Sequence, residues 1–309
     1  MRVWLNGKFV DHAEATVSLF DAGVQHGVGL FETMCARHGS VFRLMSHLER
    51  LKRSAIHLGL LEVLQLGPLA RAVELTLEQN QMRDARVRLT VTAGTLAMLK
   101  SAGVSSASQR SDPTIAIVVQ PPTPYPSALF DRGVRVAFAQ MRASSGDPFA
   151  GHKTIWYWPR LAELQRAAAM GSSESLFLTA DGLVTGGAVS NCFVVKNGAL
   201  RTPPARDEQV DGGCAQVLPG VTRGVIMECA RAGGVDVQVR DLTVRELLDA
   251  DEVFLTNSSW GVLPVVAVEE SAIADAVPGA LTLRMRASYR ATVESETCGA
   301  VDARPTSEE

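Results

Sequence analysis

The 309-residue chain is 46% hydrophobic and 20% charged, a globular composition that excludes a disordered chain. Its formal net charge of −3 excludes a chain-wide pull toward nucleic acid or anionic lipid, and no apolar run reaches the ~20 residues that span a bilayer. Five scattered cysteines (Cys35, Cys192, Cys214, Cys229, Cys298) without CxxC spacing point to a reduced, cytoplasmic setting with neither a disulfide frame nor a metal site.

The N-terminus, MRVWLNGKFVDH, lacks the long apolar core of a secretory signal. It reads instead as a strand turning at Asn6-Gly7. GLFETMCARHGSVFRL is a second predicted hairpin. LMSHLERLKRSAIHLGL has helical spacing, with Leu44, Leu48, Leu51 and Ala55 on one side. LARAVELTLEQN is a second predicted helix. ARVRLTVTAG and TIAIVVQ are β-branched and apolar, as buried strands are, and the polar SAGVSSASQRSD between them is a loop. QPPTPYPSA, residues 120–128, holds four prolines, which suit a stiff connector and no helix interior. These features divide the chain into a small α+β domain at 1–120, a linker at 121–129, a larger domain at 130–294 and a polar tail at 295–309.

Beyond the linker come a strand, VRVAFAQ, and a helix, WPRLAELQRAAAM, whose first turn tolerates Pro159. SLFLTADGLVTGG and NCFVVKNGALRT are hairpins turning at Asp181-Gly182 and Asn197-Gly198. VTRGVIMECARAGG is a helix closed by glycines, DVQVRDL and DEVFLTN are strands, and LTLRMRASYRATVE is a last helix. GVG at 27–29 leads into a strand and not a helix, so it is no dinucleotide loop.

Only five lysines occur: Lys8, Lys52, Lys100, Lys153 and Lys196. Four adjoin turns, a polar helix face or a polar loop. Lys153 instead precedes Ile155, Trp156, Tyr157 and Trp158. An amine among apolar groups loses hydration, its charged form is disfavoured, and the neutral form attacks aldehydes, as in pyridoxal-phosphate enzymes. A lysine snorkelling at a helix start is the alternative. LPGVTRGVIMECA then offers a helix start with a hydroxyl, a natural anion site, or a simple threonine cap. LTNSSWGVLPV stops a strand in small hydroxyls, which can hold phosphate or carboxylate or merely turn the chain. Arg50 in SHLERLKRSA offers a fork to phosphate oxygens, or a surface charge paired with a glutamate.

Taken in order, GVGLFETM, HLERL, HK before aromatics, DGLVTGGAVSNCFVV, LPGVTR and TNSSWGVLPV resemble the class IV aminotransferase family over roughly residues 1–270. That is the pyridoxal-phosphate fold shared by branched-chain and D-amino acid aminotransferases and 4-amino-4-deoxychorismate lyase. The resemblance implies a two-domain α and β architecture, D-amino acid aminotransferase-like, with a small α+β N-terminal domain and a larger α/β domain built on a mixed, barrel-like sheet. It further implies pyridoxal 5′-phosphate between the domains, a homodimer, and an amino acid or aminodeoxychorismate as substrate. Carried over by motif, Lys153 is the Schiff-base lysine and the acid/base. Arg50, Val221, Thr222 and Ser258 hold the cofactor phosphate, and Tyr157 hydrogen-bonds the cofactor's phenolic oxygen, although Trp156 stands where the family commonly has asparagine.

The pattern breaks at VTGGAVSN, where Gly186 occupies the place of a glutamate whose carboxylate faces the pyridine nitrogen in the family. Without that anion the nitrogen is expected to be mostly neutral, which hampers transamination more than β-elimination. Ala93 replaces a substrate-carboxylate arginine, Phe31 replaces a tyrosine, and Ser259 and Trp260 complete the expected substrate pocket. These departures favour a lyase that releases pyruvate and leaves 4-aminobenzoate. The alternatives are an aminotransferase of the branched-chain or D-amino acid type using 2-oxoglutarate, and a low-activity cofactor-binding homologue.

Overall fold

The computed structural model describes residues 1–95, 112–144, 146–206, 208 and 217–298. Lys100, the polar loop through residue 111, Cys214 and the tail beyond Cys298 lie outside the described residues. Two compact units emerge: Met1–Thr123 with His152–Trp156 and Ser295–Glu309, and Pro124–Gly151 with Tyr157–Glu294.

In the first unit, β1 (Arg2–Leu5) and β2 (Lys8–Asp11) form the expected hairpin, followed by a one-turn helix α1 (Ala22–His26). Next come β3 (Gly29–Arg37), β4 (Ser40–Val41), α2 (Leu44–His57), α3 (Leu66–Gln79), β5 (Ala85–Thr92) and β6 (Ile115–Gln120). The six strands make one antiparallel sheet ordered β2-β1-β6-β5-β3-β4. Alternation along each strand decides which side chains meet the helices. Leu30 and Met34 of β3, Val87, Leu89 and Val91 of β5, and Ile117 and Val119 of β6 pack with Leu48, Leu51 and Ala55 of α2 and Val73 and Leu77 of α3. Phe31 and Thr33 therefore share the other face with Arg88 and Thr90, which lie opposite them in register. α3 begins three residues before the expected Leu69, taking Pro68 into its first turn, where a proline is tolerated.

The second unit contains α4 (Ala128–Asp131), β7 (Val134–Ala143), α5 (Trp158–Ala169), β8 (Glu174–Thr179), β9 (Val184–Gly187), β10 (Asn191–Lys196) and β11 (Ala199–Thr202). α6 (Val221–Ala232), β12 (Val237–Val239), α7 (Val244–Leu248), β13 (Glu252–Asn257), β14 (Gly261–Val268), β15 (Ser271–Ala272) and α8 (Ala280–Cys298) follow. Its nine-stranded sheet runs β12-β11-β10-β13-β14-β7-β8-β9, with β15 on β14. The sheet is mixed, because β11/β12, β14/β7 and β7/β8 are parallel. Both faces are buried. Cys192, Val194, Val253 and Leu255 enter one core, while Phe193 and Phe254, opposed in register on the other face, stack at 4.9 Å. Such a pair adds about 0.5–1.5 kcal/mol beyond its burial.

The strand β13 stops at Asn257 before a turn, as read from the sequence, and Gly261–Val268, to which the sequence reading gave no element, is an interior strand, β14. Its Pro264 is accommodated because the ladder to β7 begins only at Val265↔Val134, sparing the missing N–H. The terminal helix α8 continues through Ser295 to Cys298, past the expected start of the tail. No helix among the described residues is long and apolar enough to cross a membrane.

Candidate active site

Strand pairing positions Lys153. Its segment lies along β3, with the N–H of Phe31 donating to the Lys153 carbonyl at 2.9 Å, the N–H of Ile155 donating to Gly29 at 3.0 Å, and Leu30 bridging Thr154. The Lys153 Nζ lies 4.4 Å from the centroid of the Phe31 ring, and the Arg88 guanidinium carbon lies 3.4 Å from the same centroid. Both cations thus rest on one aromatic ring, an arrangement favoured by its quadrupole. The desolvation expected from the tryptophans is not found: Trp156 is 60% and Trp158 73% exposed. The stretch is extended and α5 starts only at Trp158, so those rings point outward and Phe31 takes their place beside the lysine.

On the helix face of β3, Glu32, His47 and Arg50 form a buried cluster. Glu32 accepts from Arg50 Nε at 2.8 Å, from Arg50 Nη2 at 2.5 Å, and contacts His47 Nδ1 at 2.8 Å. Burial works to raise the Glu32 carboxyl, but the Arg50 charge and the His47 contact outweigh it and hold the group at about 2. Burial, reinforced by the charges of Arg50 and Lys153, lowers the His47 pKa despite Glu32. The imidazole is neutral at physiological pH, and beside an ionised carboxylate it is assigned as the Nδ1 donor. Arg50 is therefore not a surface charge. Glu32 takes the Nε/Nη2 edge of its guanidinium. Ala93, the expected substrate residue, follows β5 and donates its N–H to Val28 at 3.3 Å.

In the second unit the turn after β9 gathers several expected residues. Tyr157 donates its hydroxyl to the Ala188 carbonyl at 3.0 Å, committing its one proton. Asn191 donates Nδ2 to the Leu218 carbonyl at 2.9 Å. Its Oδ1 lies so close to Gly220 that a Cβ there would sit 2.0 Å away, so a side chain at 220 would have to displace Asn191. Gly220 caps α6 without a side-chain bond. The Gly224 N–H closes on Gly220 at 2.9 Å, leaving the N–H groups of Val221, Thr222 and Arg223 ahead of the helical ladder. Thr222 is buried. Arg223 is held by Glu208, Thr202 and Pro203, so it is not the anion ligand of this helix start.

Asn257 donates to the Val189 carbonyl at 3.2 Å and accepts the N–H groups of Ser259 and Trp260, shaping the turn that carries half-buried Ser258. Ser259 is exposed. Trp260 packs edge-on to Tyr125 at 5.8 Å, against the core of its unit. Glu174 accepts four donors, the N–H groups of Ser175, Ala188 and Val189 and the Ser190 hydroxyl. Burial nevertheless raises its pKa. Gly186 has φ +144°, and a Cβ there would lie 3.0 Å from the Ser190 carbonyl oxygen.

A model of amino-transferase class IV matches residues 29–268. The chain belongs to the class IV aminotransferase family. It is similar to a Methanocaldococcus jannaschii protein assigned as a branched-chain-amino-acid aminotransferase, 32% identical over 94% of this chain and 96% of the relative. It is also similar to the aminodeoxychorismate lyase of Bacillus subtilis, 29% identical over 87% of each chain. Among solved structures it resembles the branched-chain amino acid aminotransferase of Escherichia coli, at TM-score 0.85 and 25% identity over 96% of this chain and 95% of that one. The expected D-amino acid aminotransferase-like fold is thereby met.

As a class IV aminotransferase the protein is a pyridoxal-phosphate-dependent enzyme, and its residues suit that group. A lysine amine stands over an aromatic ring, and a glycine closely approached by Asn191 Oδ1 opens a helix start whose Thr222 is buried. The Thr256 hydroxyl is also buried without a partner among the described residues. Sequence reading missed Glu32, His47, Arg88, Arg160 and Asn191. Of these, Arg88 had a readable signal, since it alternates with Val87 and Leu89 and so leaves the core face.

Proposed function

We propose that this class IV enzyme is an amino acid aminotransferase, of the branched-chain or D-amino acid type, that uses a dicarboxylic 2-oxo acid such as 2-oxoglutarate as amino acceptor. The observation that carries this reading is the Arg88–Phe31–Lys153 stack. A guanidinium beside the reactive amine offers a fork to the acceptor's second carboxylate. Phe31 is a wall for an apolar side chain, in keeping with the 32% identity to the archaeal relative.

When bound, pyridoxal phosphate supplies an aldehyde that captures amines and a conjugated ring that delocalises the charge left by a departing α-proton. Lys153 Nζ would hold that aldehyde until the substrate's amine displaces it, and the freed lysine amine would then take the substrate's α-proton and return it. Arg50, fixed by Glu32, would supply a guanidinium to the cofactor phosphate, and the N–H groups of Val221 and Thr222 and the Ser258 hydroxyl would supply further donors. The exposed Leu19, Phe20, Val24 and Trp156 of the first unit suit a homodimer contact, which sedimentation would test. The described cysteines are free thiols, which suits a reducing cytoplasm.

The second reading is the 4-amino-4-deoxychorismate lyase reaction, favoured by Gly186, which removes the anion that transamination relies on. Purified enzyme is assayed with branched-chain and D-amino acid donors plus 2-oxoglutarate, and separately with aminodeoxychorismate alone. Glutamate formation supports the aminotransferase. Pyruvate release without an acceptor supports the lyase and overturns it. Lys153→Ala is expected to lower either activity about 10³-fold or more and to abolish borohydride fixation of the cofactor.

A further inference from the structure

The surroundings of residue 186 reverse a sign. β8 and β9 oppose Phe177 to Gly186, and residues so opposed keep their side chains on one face. The guanidinium of Arg160, from the first turn of α5, lies 5.2 Å from the centroid of the Phe177 ring. Its Nη1 donates to the carbonyls of Gly187 at 3.2 Å and Ala188 at 3.3 Å. A cation therefore stands against the two residues that follow Gly186, where the class IV pattern has a carboxylate.

Among the described residues, Glu174 also hydrogen-bonds this turn. Its carboxylate takes the N–H groups of Ala188 and Val189 and the Ser190 hydroxyl, so it occupies the donor side while Arg160 occupies the carbonyl side. Tyr157, the third group on the Ala188 carbonyl, contributes a neutral hydroxyl. Gly186 itself, with φ +144°, is in a backbone conformation that L side chains rarely adopt. The segment is thus shaped for the absence of a side chain at 186 and for a cation beside it.

Resting on the pyridoxal-phosphate reading above, we infer that Arg160 is the residue that sets the cofactor's pyridine nitrogen, holding it without a proton where the family's glutamate would hold it with one. A fixed positive charge disfavours protonation of a neighbouring base. A ring nitrogen without its proton withdraws charge less strongly, so removal of the substrate's α-proton depends more heavily on Lys153.

The test uses holoenzyme reconstituted with pyridoxal phosphate labelled with ¹⁵N in the ring, followed by NMR across neutral pH. Wild type and Arg160→Lys are expected to show an unprotonated nitrogen. Arg160→Glu is expected to raise the nitrogen's proton affinity about tenfold or more. Arg160→Gln, which keeps a donor for the carbonyls, gives a smaller rise and serves if charge reversal prevents folding. A protonated nitrogen in wild type, or one signal common to all variants, overturns the inference. Borohydride reduction and peptide mass mapping separate it from the underlying reading. A wild-type Lys153 adduct with a protonated nitrogen overturns Arg160's role alone, and absence of the adduct overturns both.

Discussion

Glu32 grips Arg50 side-on, with Nε at 2.8 Å and Nη2 at 2.5 Å, although the two are 18 positions apart and each is at least 95% buried. Neither charge is tolerable there alone. Glu32→Gln is expected to cost about 3–5 kcal/mol, because it strands a buried guanidinium, as read by urea unfolding. A carboxyl held at about 2 against an ordinary 4.5 adds stability that is complete above its unfolded value and is lost as pH falls toward the folded one. Wild-type stability should therefore decline between those two values, and Glu32→Gln should flatten that decline. An unchanged slope would remove the assigned role.

Arg88 shares the Phe31 ring with Lys153. Arg88→Met is expected to lower kcat/KM for a dicarboxylic 2-oxo acid about 10- to 100-fold, the worth of a charged hydrogen bond, while sparing monocarboxylic acceptors. Steady-state kinetics with both acceptor classes decide it, and equal losses would show that Arg88 only packs.

Restoring the family's glutamate is not a simple reversal. Gly186→Glu must hold φ near +144° with its Cβ 3.0 Å from the Ser190 carbonyl oxygen. A loss of about 1–3 kcal/mol is expected, measured by thermal unfolding of the apoenzyme. A variant as stable as wild type would show that the turn relaxes freely.

Gly220 and Asn191 are coupled through contact. Gly220→Ala should push Asn191 from the Leu218 carbonyl, destabilise the protein and weaken pyridoxal phosphate binding. In an Asn191→Ala background the same change should cost at least ~0.5 kcal/mol less, the signature of neighbours in a double-mutant cycle. Strict additivity would contradict the clash.

Much of this was legible in the chain. The hairpins announced themselves through Asn-Gly and Asp-Gly pairs, and Lys153 through its rarity among arginines. Arg50 could be picked out, but not its partner: Glu32 lies on a strand 18 residues away, and only the fold brings strand and helix together. β14 follows the hydroxyl-rich turn with no alternation of its own to mark it, and the register that accommodates its Pro264 is not local. The exposure of Trp156 and Trp158 was misjudged because hydrophobicity says that a side chain favours burial, not that a partner exists to cover it.

Lys153, Thr154 and Ile155 also lie along the edge of β3 that β4 reaches only at its far end. An uncovered strand edge is a template for another chain's backbone. A fragment ending at the proline-rich connector would keep Glu32, Arg50 and Arg88 but lay that edge bare, inviting aggregation. The segment that bears the nucleophile thus also guards the sheet against recruiting a stranger.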